Sequence, residues 1–384
     1  MAIDFDLAIA GAGPAGAALA KRLVNGDPAW ARRIVLIDRA RFPRSKPCGG
    51  GLTGRAALAM RELGFALTVP HVACRGAYIR AAGAERRVVL AEPVNVVRRE
   101  ELDASLLAQV RALGVTVCEG EGVLDFRRRP DGVEVSTAKG KIRARVLVGA
   151  DGAASVVRKR LLGRGSTPLR LLRAVIEAPP AWRGRAEMIY DFSPMCWGLR
   201  GYLWLFPMPG GKLNVGIMHA PANSLFGTTH CDPARLRHGQ SEPELTAILR
   251  RGLAQWGIEL PEQAAKGWPA WPYAGKAPLG QDRVLLVGDA AGIDALTGEG
   301  IAVAMEQAII AADAITHAFQ SGDFSFGTYA RAVRSATVGR ELALDAWLAR
   351  LLYGGSAWKL LLSFVLYDRD FIDMVAQRVS GTLV

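Results

Sequence analysis

The chain has 384 residues, with 48 Lys and Arg against 36 Asp and Glu and a formal net charge of +12. Half of the residues are hydrophobic, enough for a sizeable core, and the length suits two domains or one elaborate one. The basic residues are mostly arginines dispersed among alanine and glycine, as in Arg127, Arg128 and Arg129, without the clustering and interleaved aromatics of a nucleic-acid binder; they read as a solvated surface, with anionic lipid or an acidic electron donor as the alternative partners.

The chain opens on a strand–turn–helix pattern. Asp6 to Ala10 is a short apolar run of strand type, and Pro14 to Leu23 is rich in Ala and Leu and predicts a helix. Between them lies Gly11-Ala12-Gly13-Pro14-Ala15-Gly16. Glycines there permit a tight turn and let the backbone approach a pyrophosphate at a helix N-terminus, whose free N–H groups favour an anion. Ile34 to Ile37 predicts a buried strand, and Asp38 ends it in position to accept hydrogen bonds from an adenosine ribose. Val94 to Val97 reads as extended. Glu100 to Leu113 has helical spacing, with acidic residues in its first turn, where the helix dipole favours them. Val115–Val117 and Val133–Thr137 read as strands. Arg145 to Val148 leads into Gly149-Ala150-Asp151-Gly152, followed by a helix from Ser155 to Leu162.

From about residue 166 to 275 the texture changes to Pro, Trp and Tyr, with strand-like pieces at 186–192, 201–206 and 212–218, and a helical stretch from Asp232 to Gly257. This middle region predicts an antiparallel sheet with a helix or two. Val284 to Val287 restores the buried-strand pattern and delivers Gly288-Asp289-Ala290-Ala291-Gly292; a long helix from Gly300 to Phe319 follows, and 325–384 is mostly helical, including the apolar run Trp358–Tyr367. The nucleotide-binding domain is therefore expected as 1–70, 94–165 and 276–324, the substrate domain as 71–93 and 166–275, and the helical C-terminal region as 325–384. Five scattered cysteines, odd in number and without CxxC spacing, point to a reducing, cytoplasmic setting rather than a disulfide framework or zinc site. A first strand starting so near Met1 leaves no room for a signal peptide, and no segment has the unbroken apolar length of a membrane span. His230, Cys231, Asp232 and His238 fit no standard metal spacing, so no metal is expected.

The four segments Gly11–Gly16, Asp38, Gly149–Gly152 and Gly288–Gly292 together read as one flavin site. On these residues the chain resembles the flavoprotein hydroxylase superfamily and, within it, the geranylgeranyl reductase family, over most of residues 1 to about 320. Arg99 to Asp103 is similar to the family's Arg-x-x-(aromatic)-Asp pattern, with Leu102 in place of the aromatic, and this implies that Arg99 contacts FAD. Lys46-Pro47-Cys48-Gly49-Gly50-Gly51-Leu52 resembles the reductases' flavin-side loop, in which a cysteine lies close to the isoalloxazine. Tyr202-Leu203-Trp204-Leu205-Phe206-Pro207, with Gly216 beyond, resembles their Tyr-x-Trp-x-Phe-Pro strand. Flavin-dependent halogenases carry a related motif, with Trp where this chain has Tyr202 and Ile where it has Phe206. Ile293 to Thr297 lacks the proline that the family places before its Gly-Glu-Gly turn.

The resemblance implies an α/β fold: a Rossmann-type FAD-binding domain, an inserted antiparallel-sheet substrate domain and a helical C-terminal region. It also implies FAD as cofactor, with NAD(P)H or a small electron carrier as transient reductant, since only one dinucleotide fingerprint is present. The candidate cofactor contacts are Gly11, Gly13, Pro14, Ala15, Gly16, Asp38, Arg39, Cys48, Gly49, Gly51, Arg99, Val123, Asp151, Asp289, Gly300 and Ile301. The helix opening at Gly300-Ile301 would place its N-terminus against the flavin and stabilise negative charge on the reduced ring. Cys48, Tyr202 and Trp204 are the candidate catalytic residues. The Cys48 thiol would donate or relay a proton, with Lys46 and Arg44 as nearby positive charge; the alternative is a small buried hydrophobe. Tyr202, Trp204 and Phe206 share one strand face by the period of two, as a cavity wall or as plain sheet core. The expected reaction is hydride transfer from flavin N5 to a carbon–carbon double bond of a prenyl or other apolar substrate, free or membrane-borne. The alternatives are a monooxygenase or oxidase on an aromatic or polyketide-like molecule, a halogenase, and a flavin-binding protein without turnover.

Overall fold

The computed structural model describes residues 3–81, 83–163, 167–226, 244–355, 358–368, 373 and 376–377. Two sheets organise it. The first is parallel through its centre, in the order Val284–Leu286, Gly140–Gly149, Phe5–Ala10, Ile34–Asp38, Thr116–Glu119, with Gly280–Gln281 antiparallel at one edge and Val123–Arg129 and Gly132–Thr137 as an antiparallel extension of Gly140–Gly149. Leu7, Ile9, Ile34, Val35, Leu36, Val146, Leu147 and Leu285 are fully buried. Both faces of these strands are covered, which is why they read as continuous apolar runs rather than alternating ones.

The helix Pro14–Gly26 connects Phe5–Ala10 to Ile34–Asp38 and packs on Ile301–Ser321. Pro14 sits in its first turn, where a missing N–H costs nothing. Ala15, Gly16, Ala17, Ala18 and Ala20 are buried; small side chains let the helix lie close to the sheet and its neighbour. Ile301–Ser321 is long and apolar enough to cross a membrane, yet 61% of its most apolar window is buried inside the protein, so it is read as a core helix. Gly322 ends it at φ 77°, the left-handed cap that glycine adopts without strain.

The second sheet runs Lys266–Ala270, Leu169–Glu177, Lys212–His219, Leu203–Met208, Glu187–Asp191, His71–Ala81, Ala84–Val97, Gly51–Leu52. It is antiparallel except where Glu187–Asp191 pairs with His71–Ala81. Ala84–Val97 runs through residue 93 as one strand, so Val94–Val97 belongs to this sheet. One face packs on the C-terminal helices through Tyr202, Trp204, Phe206, Ala349, Tyr353, Leu362 and Leu366. The other packs on Leu245–Ala254 through Leu203, Leu205, Val215, Leu249 and Leu253.

Most predicted elements hold within a residue or two: Val156–Leu162, Ile301–Ser321 and Trp358–Tyr367 are helices, and Glu187–Asp191, Leu203–Met208 and Lys212–His219 are strands. The helical stretch begun at Asp232 is described only from residue 244, as Leu245–Ala254. The candidate ligands His230, Cys231, Asp232 and His238 lie outside the described residues, among which no metal-binding group of three occurs.

Candidate cofactor and substrate site

The register of the first sheet brings the glycine loops together. Ala10 pairs with Ile37 on one side and Gly149 on the other, and Gly149 pairs with Leu286. Gly11, Asp38, Ala150 and Gly288 therefore all emerge from the carboxyl ends of adjacent parallel strands, the crevice where open α/β sheets bind ligands.

Packing between the loops requires glycine at several positions. A Cβ on Gly11 (φ +101°) would lie 2.3 Å from the Ala150 carbonyl oxygen, one on Gly16 would lie 2.0 Å from the Gly11 carbonyl oxygen, and one on Gly288 would lie 2.8 Å from the Ala15 Cβ. Gly13 differs: its Cβ would meet only the Arg44 Nη2, at 3.2 Å. The fold needs no glycine there, but a ligand approaching the backbone does. Asp38 is buried, and its carboxylate accepts from the Ala12 N–H and the Ala40 N–H, each at 2.9 Å. Arg39 is exposed beside it, and Val123 begins the strand that faces this edge.

Arg44, named in the sequence only as nearby charge, is the cation of the crevice. Its Nη2 lies 3.1 Å from Asp103 and its Nη1 is buried with no hydrogen-bond partner among the described residues. A buried, charged N–H left unpaired is costly. An anionic group beside Gly13 would pair it, so the residues present fit the pyrophosphate of FAD.

The loops are braced from behind. Asp151 accepts from the Ser155 hydroxyl and, at 2.8 Å, from the Val156 N–H. Its carboxylate thus caps the helix Val156–Leu162, and burial pushes it up from the usual carboxylate range while these bonds pull it back. Arg158 donates to the Ala290 carbonyl at 2.7 Å, and burial pulls this guanidinium down to about 10. Asp289 pairs with Lys46 at 3.2 Å, which ties the last loop to the cysteine loop.

Cys48 is half-buried. The nearby charges anticipated for it, Lys46 and Arg44, pair instead with Asp289 and Asp103. The guanidinium that touches the Cys48 thiol is Arg99, which is buried and also grips Asp103 through two bonds of 2.8 and 3.0 Å. Burial works against its charge, and Asp103 and Cys48 more than restore it. Arg173, which the sequence did not single out, lies within electrostatic reach of the same thiol, and burial pulls it down.

Asn214 was also missed. Fully buried, it donates to both the Cys48 and Gly49 carbonyls at 2.8 Å and accepts from the Trp204 indole at 3.1 Å. The second sheet thereby holds the Cys48–Gly51 loop. Gly49 faces the Phe206 ring, where a Cβ would approach to 3.1 Å, and Gly216 makes room for Trp204, with a Cβ at 2.2 Å from its Cζ2. An asparagine inside a strand carries no motif; a polar residue in an otherwise apolar run was the only signal.

Tyr190, Tyr202, Trp204 and Phe206 form one aromatic wall, with successive ring centroids 5.2 to 6.4 Å apart. Tyr202 donates to the Thr297 carbonyl at 2.5 Å and Tyr353 to that of Leu296 at 2.6 Å. Burial pushes both phenols well up, so they stay protonated donors. Asp294 accepts from the Leu296 and Thr297 N–H groups at 2.6 and 2.9 Å. These bonds define the turn that lacks the family's proline. Gly300 and Ile301 follow, with a Gly300 Cβ placed 3.2 Å from Asp289. Glu299 accepts from the Thr53 hydroxyl and lies 3.6 Å from Arg55, which also binds Glu306 and Glu341.

Residues 4–332 match the FAD binding domain family. This chain belongs to that family. It is an FAD-dependent oxidoreductase. It is 29% identical to the menaquinone reductase of Mycolicibacterium smegmatis, over 90% of this chain and 86% of that protein. It is 24% identical to digeranylgeranylglycerophospholipid reductase 2 of Methanosphaera stadtmanae, over 84% and 80% of the two. A geranylgeranyl bacteriochlorophyll reductase-like protein from Thermoplasma acidophilum shares the fold at a TM-score of 0.73 and 19% identity, over 99% and 92% of the chains. The p-nitrophenol 4-monooxygenase of Pseudomonas putida also has a TM-score of 0.73, at 17% identity over the full length of both. The FAD cofactor and the α/β flavoprotein fold expected from the sequence are thus borne out.

Proposed function

We propose that this oxidoreductase saturates carbon–carbon double bonds in the prenyl chain of an apolar substrate, with NAD(P)H or a small electron carrier as reductant. The observation that carries this reading is the aromatic wall of Tyr190, Tyr202, Trp204 and Phe206, joined to the Cys48–Gly51 loop through Asn214. Such a wall suits a greasy chain. The names of the two relatives, a menaquinone reductase and a phospholipid reductase, support substrates that carry prenyl groups.

When bound and reduced, FAD supplies a hydride at N5. Gly11, Gly13, Gly16 and Arg44 would hold its pyrophosphate and Asp38 its ribose, and the glycines after Cys48 would offer flat backbone to its ring. The chain's own chemistry is the proton that completes the saturated bond. Cys48 donates it, with the Arg99 guanidinium against the thiol. Arg99 reaches the cofactor region through this contact and through Asp103, which it shares with Arg44. Tyr202 and Tyr353 fix the turn before Gly300, which would keep the N-terminus of Ile301–Ser321 toward the ring.

The test is anaerobic incubation of the reduced holoenzyme with a prenylated quinone and a prenylated phospholipid, followed by mass spectrometry. A gain of about two mass units per turnover, located on the chain by fragmentation, supports the reading. A gain of two located on the quinone ring moves the reaction off the chain, and an aerobic gain of about sixteen makes the protein a monooxygenase.

A further inference from the structure

Of the nine large apolar side chains exposed among the described residues, five lie on the last two helices: Leu344, Trp347 and Leu351 on Thr337–Gly354, and Leu360 and Tyr367 on Trp358–Tyr367. Trp347 is 53% exposed, Leu360 62% and Tyr367 70%. Spacings of three and four residues put Leu344, Trp347 and Leu351 on one stripe. The inward stripe of the same helix is Val338, Leu342, Ala349 and Tyr353, so this helix is apolar on two opposite faces.

Charge on the helix is sorted as well. Both of its acids point inward: Glu341 binds Arg55, and Asp345 is 4% exposed. The outward side carries Arg340 and Arg350, and Lys359 precedes Leu360 in the first turn of the next helix. Asp368, exposed next to Tyr367, is an acid at the far end of the patch; exposed leucine and tryptophan with Arg340, Arg350 and Lys359 beside them are the composition of a surface that lies in the interface of an anionic bilayer. Long basic side chains reach lipid phosphates while the apolar groups enter the acyl boundary.

We infer that the outward face of Thr337–Gly354 and Trp358–Tyr367 docks this enzyme on an anionic membrane surface. The inner faces of the same helices bear on the proposed substrate wall, since Ala349, Tyr353, Leu362 and Leu366 share one core with Tyr202, Trp204 and Phe206. A lipid-borne substrate would enter beneath them; that step rests on the function proposed above, whereas docking itself does not.

The test is co-flotation of the full-length holoenzyme with vesicles of phosphatidylcholine alone or containing phosphatidylglycerol. Binding is expected only with the anionic lipid and should weaken as salt rises. Leu344→Asp/Trp347→Asp is expected to lower partitioning by about tenfold or more, while retaining bound FAD and the elution volume of the wild type. Leu58→Asp, at an exposed leucine on another helix, should bind as wild type does. Equal binding by wild type and double variant, or no binding to anionic vesicles, overturns the inference. So does a dimer that the double variant splits into monomers, which would make this face a self-interface. Because the readout is flotation, docking can succeed where prenyl reduction fails, and the reverse.

Discussion

Asn214→Leu isolates the link between the two sheets. The replacement keeps nearly the same volume, so packing changes little, but three hydrogen bonds disappear: two to the Cys48 and Gly49 carbonyls and one from the Trp204 indole. Each bond is worth about 1 kcal/mol net, and a buried donor left unpaired adds about 1–3 kcal/mol. Trp204 is 3% exposed, so its N–H has no water to turn to, whereas the half-buried loop recovers part of its loss by hydration. The expected destabilisation is about 3–4 kcal/mol, a large share of a stability of about 5–15 kcal/mol. Urea unfolding followed by tryptophan and flavin fluorescence reads it, together with the FAD dissociation constant. Asn214→Asp sharpens the test. The new side chain still accepts from Trp204 but, when ionised, opposes two carbonyl oxygens; when protonated, it donates to one of them. Its folded pKa is therefore raised above the unfolded value of about 3.9. The added penalty is absent below that value and grows as pH rises through the folded pKa. Two results refute the reasoning: Asn214→Leu that unfolds at the wild-type denaturant concentration with unchanged FAD affinity, or Asn214→Asp that is insensitive to pH.

The glycine positions separate fold from ligand. Gly13→Ala should leave the apoprotein's urea midpoint within about 0.5 kcal/mol of wild type and weaken FAD by at least about tenfold, whereas Gly16→Ala should disrupt the loop with or without FAD; titration of apoprotein with FAD distinguishes them. Arg44→Met should weaken FAD by about ten- to a hundredfold, equivalent to about 1.5–3 kcal/mol for a charged hydrogen bond, and a smaller salt dependence of FAD binding should accompany the loss. His219 is fully buried, and burial, with Arg200 and Arg170 nearby, pulls it from 6.5 to about 4. It must stay neutral in the fold, so its contribution is complete above pH 6.5 and is lost as pH falls toward 4, at most about 3 kcal/mol; His219→Leu should flatten the urea midpoint over that window. Cys48→Ala should lower kcat for the saturated product without changing FAD content, and an unchanged kcat with an unchanged pH profile would remove the thiol from the proton step.

The local pattern of residues was sufficient for the cofactor half of this protein. Gly11–Gly16 between an apolar run and an Ala-rich helix, Asp38 at the end of the next strand, and two later Gly/Asp loops each specify short-range geometry that the backbone adopts wherever the pattern occurs, and their joint order implies a single flavin. The strand Leu203–Met208 and the helix Ile301–Ser321 were legible for the same reason, because periodicity is a local property. What the residues around Cys48 do was not local. Arg44 reaches Asp103 from a distant loop and joins Arg99, which sits four residues before Asp103 on the same helix, Arg99 rather than Lys46 meets the thiol, and Asn214 reaches a loop 166 residues away. The turn from Ile293 to Gly300, which lacks its expected proline, is held by Tyr202 from the middle sheet and Tyr353 from the C-terminal helices. Hydrogen bonds of this kind depend on register between sheets, and register is decided by which buried faces pack together. The sequence by itself therefore determined which cofactor this chain holds, while only the tertiary structure decided which side chains surround the thiol and which helix faces remain exposed.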